Sequence, residues 1–282
     1  MIAYPPDPLA VALARAVERR LPKLMADFQQ SEPLLSRAAT ITSSSRRVRV
    51  PVDLGAGTPA FATFDVASFC SRFSSSGGVA VSLENEAYFD RTADTLARLV
   101  AKEHRLRTGD ALYDDVRSGF VGLSTYAPSD EFVDDWVGGL PPDTPGWQPQ
   151  VMHLQRADAA ETVAAVSNLS LACTDDFTEP MLIAAGRDVA FDVLRSFETQ
   201  QRFWSSRGGV QYLHVGMAEM FWAPHADRNA AFVVHPADFA FHQRPPLVTA
   251  SGGYLVARVD QQLVCRRRRL VGRLQRHVRL TG

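Results

Sequence analysis

Apolar residues recur every three or four positions from Leu9 through Leu13, Val17, Leu21 and Leu24 to Phe28, with Arg15, Glu18, Arg19 and Arg20 on other faces. That spacing predicts an amphipathic helix. Asp7 can cap its first turn, and Pro8 suits the first helical position, where its missing N–H would have no partner. The stripe has no local partner, because TITSSSRR (40–47) follows as a polar linker. Residues 1–45 therefore read as an arm that needs another surface.

The period then drops to two. Arg47–Leu54 alternates polar and apolar, Gly55–Gly57 turns, and Thr58–Val66 returns with Phe61 and Phe64. Pro51 and Pro59 would each interrupt a central ladder, so this hairpin is expected at an edge or projecting. SRFSSSGG (71–78) follows, and Val79, Val81 and Leu83 alternate again. An exposed β excursion of this length is an edge-pairing hazard unless a neighbour covers it.

From Glu84 to Arg107 the helical stripe returns as Phe89, Ala93, Leu96 and Leu99/Val100, with Glu84, Glu86 and Asp90 where the helix dipole favours acids. At 1.5 Å per residue this helix is about 35 Å long, and Gly109 is expected to end it. Residues 110–150, rich in Gly, Pro and Asp, read as loops and short helices around Trp136 and Trp147. A strand from Val151 passes into a helix, Ala157–Leu171. Pro180 opens another helix over Met181–Phe197, on the spacing Leu182, Ala185, Val189, Val193, Phe197. Gly208–Leu247 reads as strands joined by tight turns, and Tyr254–Cys265 as a further strand. The mixture predicts an α+β protein, with 282 residues ample for a core.

Composition narrows the setting. No apolar run is long enough to cross a bilayer, and the first residues lack the pattern of a signal peptide, so a soluble chain made in the cytoplasm is expected. Cys70, Cys173 and Cys265 are too scattered for a disulfide framework or a zinc site and are expected as buried thiols. Net charge is −1, but eight arginines against Asp260 give the last 25 residues +7. That segment reads as a basic tail. Only Lys23 and Lys102 are lysines.

In this order the chain resembles the major capsid protein of tailed phages, the fold shared with encapsulins. RVRVPVDLGAGTPAFATFD (47–65) is similar to that family's projecting loop, LRTGDALYDDVRSGFVGL (106–123) falls at its Gly-rich turn after the spine helix, and DRNAAFVVHPADFAF (227–241) resembles its strand before a short helix. The resemblance implies an arm (1–45), a projecting β loop (46–83), a peripheral domain with spine helix and loops (84–150), an axial domain (151–220), and a strand return with basic tail (221–282). It implies a shell subunit forming pentamers and hexamers of an icosahedral head around double-stranded DNA, hence a virion protein synthesised in the host cytoplasm. A separate scaffolding protein and a portal are the expected partners, DNA is met through charge only, and no membrane is involved. An encapsulin-type nanocompartment is the alternative within the fold. Some such capsids join a loop lysine to a neighbour's asparagine, but residues 46–83 contain no lysine.

The sharpest chemical pattern is His225-Ala-Asp227 with His277 beyond it, the two-His-one-carboxylate spacing of a non-haem iron oxygenase. Against it, few residues follow His277, and Pro224 and Asp227–Asn229 mark a solvated turn. His235, Asp238 and His242 have ligand types without ligand rhythm. Gly208-Gly209 and Gly252-Gly253 are isolated turn pairs that open no helix after a strand. No recognition helix or aromatic platform accompanies the arginines. The expectation is a structural protein, not an enzyme, with no catalytic, cofactor-binding or metal residues and no cofactor.

Overall fold

The computed structural model describes residues 7–55, 57, 60–74, 86–113, 119–129, 136–155, 158–175, 181–197, 204–207, 209–251 and 253–277. Among them the chain is α+β, as its periodicities predict.

Helix α1 (Pro8–Ser31) starts where Asp7 Oδ1 accepts a hydrogen bond from Leu9 N at 2.9 Å. It is no free arm. Leu13, Ala14, Ala16, Val17, Leu21 and Met25 are buried within the subunit. The surface they needed lies across the linker. Its first three residues belong to strand β1 (Ala39–Thr42) rather than to a polar spacer. Arg47–Val52 (β2) and Ala60–Asp65 (β3) make the expected antiparallel hairpin. The hairpin does not project along its length. Val48, Val50, Val52, Ala62 and Phe64 are buried in the central core. Its turn end is fastened too, since Asp53 N donates to Arg266 O at 3.0 Å. Gly146, at φ +75°, lets Leu54 O approach to 1.9 Å from where a Cβ would stand. Ala67–Ser74 (β4) leaves the excursion and joins the main sheet, while the alternation at Val79–Leu83 lies outside the described residues.

The spine helix α2 runs Glu86–Tyr113, passing straight through Gly109. Ala93, Ala97 and Val100 face α1. The two helices run parallel: Arg20 meets Asp90 and Asp94, Phe28 lies beneath Arg105, and Glu32 reaches Tyr113. After the short α3 (Leu123–Tyr126) come β5 (Gln150–Gln155) and α4 (Ala159–Ala172), whose Asp158–Glu161 capping box satisfies two backbone donors.

Pro180 does not open a helix. Met181–Ala185 is strand β6, and only Arg187–Ser196 is helical (α5). All five β6 residues are buried, because Leu182 and Ala184 pack into one core cluster and Met181, Ile183 and Ala185 into another on the opposite face of this central strand. A central strand covered on both faces shows a continuous apolar run, not alternation, so the 3.6 spacing there was coincidental. Then follow β7 (Trp204–Arg207), β8 (Val210–Val215), β9 (Ala218–Trp222), β10 (Ala230–Val234), β11 (Phe239–Gln243), β12 (Leu247–Ser251), β13 (Tyr254–Cys265) and β14 (Gly272–His277).

Two larger sheets result. One has the order β1-β11-β13-β12, with β4 on the other edge of β13; the other has the order β5-β14-β10-β6-β9-β8-β7. Strands β11 and β12 together form one arm of a long hairpin against β13. Helices α1 and α2 cover its outer half, while α4 and α5 cover one face of the seven-stranded sheet. The sheets do not respect the contiguous division expected at residue 220. Both β10 and β14 belong with β5–β9, so the chain enters the seven-stranded sheet, leaves for β11–β13 and returns.

Candidate assembly surfaces and the fate of the charged residues

The His225, Asp227, His277 triad is dispersed. His225 Nδ1 lies 2.8 Å from Asp110 Oδ1 on the spine helix. Asp227 accepts from Asn229 N at 2.9 Å and from Gln275 Nε2 at 3.3 Å. His277 Nε2 faces His153 Nδ1 at 2.9 Å. No group of three or more His, Cys, Asp or Glu among the described residues could hold a metal ion. His235, Asp238 and His242 are buried rather than solvated. Burial and the nearby Arg266 hold the His242 ring below its ordinary pKa. Cys173 and Cys265 are buried and Cys70 is exposed. Desolvation pushes the Cys173 thiol up to about 12, where it is no nucleophile.

The arginine run is not a tail. Arg258 donates to Asp260 at 2.7 Å, Arg267 to Asp238 at 2.5 Å, and Arg276 pairs with Asp192 at 2.5 Å. Arg269 takes Asp175 through both terminal nitrogens, one at 2.8 Å, and reaches Asp53 of the hairpin at 3.5 Å. That pairing holds the Asp175 carboxyl below its usual range. Arg268 Nε donates to Tyr126 O at 2.8 Å, and Arg273 donates to Gln275 Oε1 and Ala127 O. Arg279 lies outside the described residues and Arg266 is exposed. Charge segregated in sequence is thus neutralised in space, and the guanidinium forks fasten hairpin, α3 and both sheets together.

A second polar joint sits where α1 ends. Tyr113 Oη, at the last residue of α2, donates to Glu32 Oε1 at 2.5 Å. Desolvation raises the Glu32 carboxyl above its ordinary pKa, against the hydrogen bond from Tyr113, which lowers it. Arg37 pairs with Glu219 of β9 and lies over the Tyr212 ring, 5.0 Å from its centroid.

What remains outward is apolar. Trp222 is 61% exposed and Phe191 50%, beside a hollow of about 410 Å³ that Ala190, Leu194 and Arg187 complete. At the opposite end of β9, Met217 is 60% exposed and Leu171 58%. The spine helix turns Tyr88, Leu99 and Leu106 to solvent, and Trp136 is also exposed. Grouped large apolar side chains of this kind mark contact surfaces. Sequence reading missed Trp222 and Phe191. The available signal was that Phe191 falls off the α5 stripe of Val189 and Val193.

No protein-family model matches the sequence, and no curated protein matches it. Solved structures do. The chain is similar to the subunit in the capsid asymmetric unit of cyanophage A-1(L), at TM-score 0.63 and 11% identity over 87% of this chain and 93% of that one. The capsid of an empty GTA particle gives TM-score 0.58 at 14% identity over 88% and 90%. A holo encapsulin complex from Synechococcus elongatus gives TM-score 0.57 at 10% identity over 86% of both chains. The fold is that of the tailed-phage major capsid proteins, shared with encapsulins. Within that class, the chain's identity to each of these structures is low enough that they show the architecture alone.

Proposed function

We propose that this chain is the major shell subunit of an icosahedral phage head enclosing double-stranded DNA, assembled as pentamers and hexamers and located in the virion. The observation that carries the reading is the capsid-type fold over nearly the whole chain, in a subunit that keeps Trp222, Phe191, Met217 and Leu171 in solvent. Burying such side chains yields about 25 cal/mol per Å², which a neighbouring copy would supply. In this reading the chain is structural and has no catalytic role. It is made in the host cytoplasm and partnered by a separate scaffolding protein and a portal. An encapsulin-type compartment is the second reading, favoured by the likeness to the encapsulin at TM-score 0.57 against 0.63 for the cyanophage capsid.

The test is electron microscopy of the purified protein in negative stain, then nuclease treatment of the particles. Closed shells of uniform size that protect double-stranded DNA when produced with their packaging partners support the phage-head reading. Closed shells holding only protein support the compartment. A clean monomer at high concentration overturns both.

A further inference from the structure

Arg258, Arg267, Arg268, Arg269, Arg273 and Arg276 are held inside the fold, Arg266 is exposed, and a further row of exposed cations lies on α2. Arg91, Arg98, Lys102 and Arg105 are all exposed on α2. At 3.6 residues per turn they fall within about 60° of one another and span about 21 Å of helix. Other cations nearby are neutralised: Arg20 holds Asp90 and Asp94, and Arg107 holds Glu103. Among the described residues, no carboxylate lies within 4 Å of the four in the row, although Glu32 is close enough to Arg105 to feel its charge. Arg98, Lys102 and Arg105 line a groove against α1, where Asp27 is the one acid and Leu24 and Phe28 supply the floor. The Arg105 guanidinium roofs the Phe28 ring at 5.7 Å, so a ligand entering the groove meets charge before apolar surface.

We propose that this row binds the phosphodiester backbone of double-stranded DNA without reading its sequence. The proposal deepens the DNA-enclosing reading and rests on it, and it moves the DNA contact from the C-terminal arginines to the spine helix. The match is one of charge and spacing. Four like charges in a line face a duplex that carries one negative charge per ~1.7 Å of axis. Contacts to phosphates position a duplex without reading its sequence. One row is a weak site, but a shell repeats it with every copy, and linked weak sites add through effective concentration.

The experiment measures binding of a fluorescent 30-base-pair duplex of random sequence to the full chain across a salt series. Neutralising four phosphate contacts predicts a log–log slope near −3.6, a loss of about a hundredfold between 50 and 200 mM salt. The triple variant Arg98→Gln, Lys102→Gln, Arg105→Gln should flatten the slope to about −0.9, while Arg98→Lys with Arg105→Lys keeps it. Arg266→Gln, an exposed arginine outside the row, should leave binding unchanged. An unaltered slope in the triple variant overturns the proposal. Imaging the same preparations separates the two readings. Shells that form normally while the slope ignores the row sink this inference alone, whereas a failure to form shells sinks the shell.

Discussion

His225 occupies the space that a side chain at residue 109 would need. A Cβ built on Gly109 would stand 2.7 Å from His225 Cδ2, and the same ring holds Asp110 at 2.8 Å. The spine helix thus tolerates a glycine in its interior because the turn carrying His225 closes over it. A Gly109→Ala change gains about 1 kcal/mol of helix propensity but expels the ring and breaks its contact with Asp110. The single variant should be destabilised by about 1 kcal/mol. In a His225→Ala background the same change should stabilise by a similar amount, and urea denaturation of the four-protein cycle reads the reversal of sign.

The amphipathic stripe of α1 reads as an arm awaiting another surface, and an arm of that kind could be removed without unfolding the body. The buried positions reverse that expectation. Leu21 is fully buried between α1, α2 and the β12–β13 ribbon. Leu21→Ala should cost about 2–5 kcal/mol, and deletion of 1–30 should abolish the cooperative thermal transition. A truncated chain with a wild-type melting curve would return the segment to the status of an arm.

His104 is 3% exposed on α2, with Nε2 3.4 Å from the Thr108 hydroxyl, and desolvation lowers its pKa from 6.5 to about 4. The unfolded chain therefore binds this proton more readily than the folded one. Stability from this group is complete above about pH 6.5 and falls as pH drops towards 4. The drop amounts to up to about 3 kcal/mol. His104→Gln should flatten that part of the stability–pH curve. If the slope between pH 6.5 and 4 survives the substitution, other groups set it.

Lysine is absent from residues 46–83, and Lys23 and Lys102 sit on α1 and α2. An isopeptide bond needs a neutral amine as nucleophile, and guanidinium stays protonated. Assembled particles boiled in detergent and reductant should run as one monomer band. A ladder of covalent multimers on that gel would contradict this.

Much of the element order was legible, because long stripes such as Leu9–Phe28 and Phe89–Val100 and the alternation of residues 47–65 are strong periodic signals. Where packing decided, pattern failed. Met181–Ala185 carried a helical spacing only because every residue of a central strand is apolar. The arginines of 266–276 looked like a solvated run because their carboxylate partners, Asp53, Asp175, Asp192 and Asp238, lie far away in sequence. No spacing rule reveals such pairs. The same distance hid the scatter of His225, Asp227 and His277, since closeness in sequence between two members says nothing of where a third strand ends.

Strand β14 lies between β5 and β10, inside the sheet rather than at its rim. During synthesis, residues 150–234 are complete well before Gly272–His277 exist, and until then β5 and β10 each present an open edge with nothing between them. The seven-stranded sheet can therefore close only once Gly272–His277 have been translated. A chain cut short before Gly272 keeps that slot open and exposes unpaired backbone to proteolysis. The position of one strand makes translation as far as His277 a condition for closing the sheet.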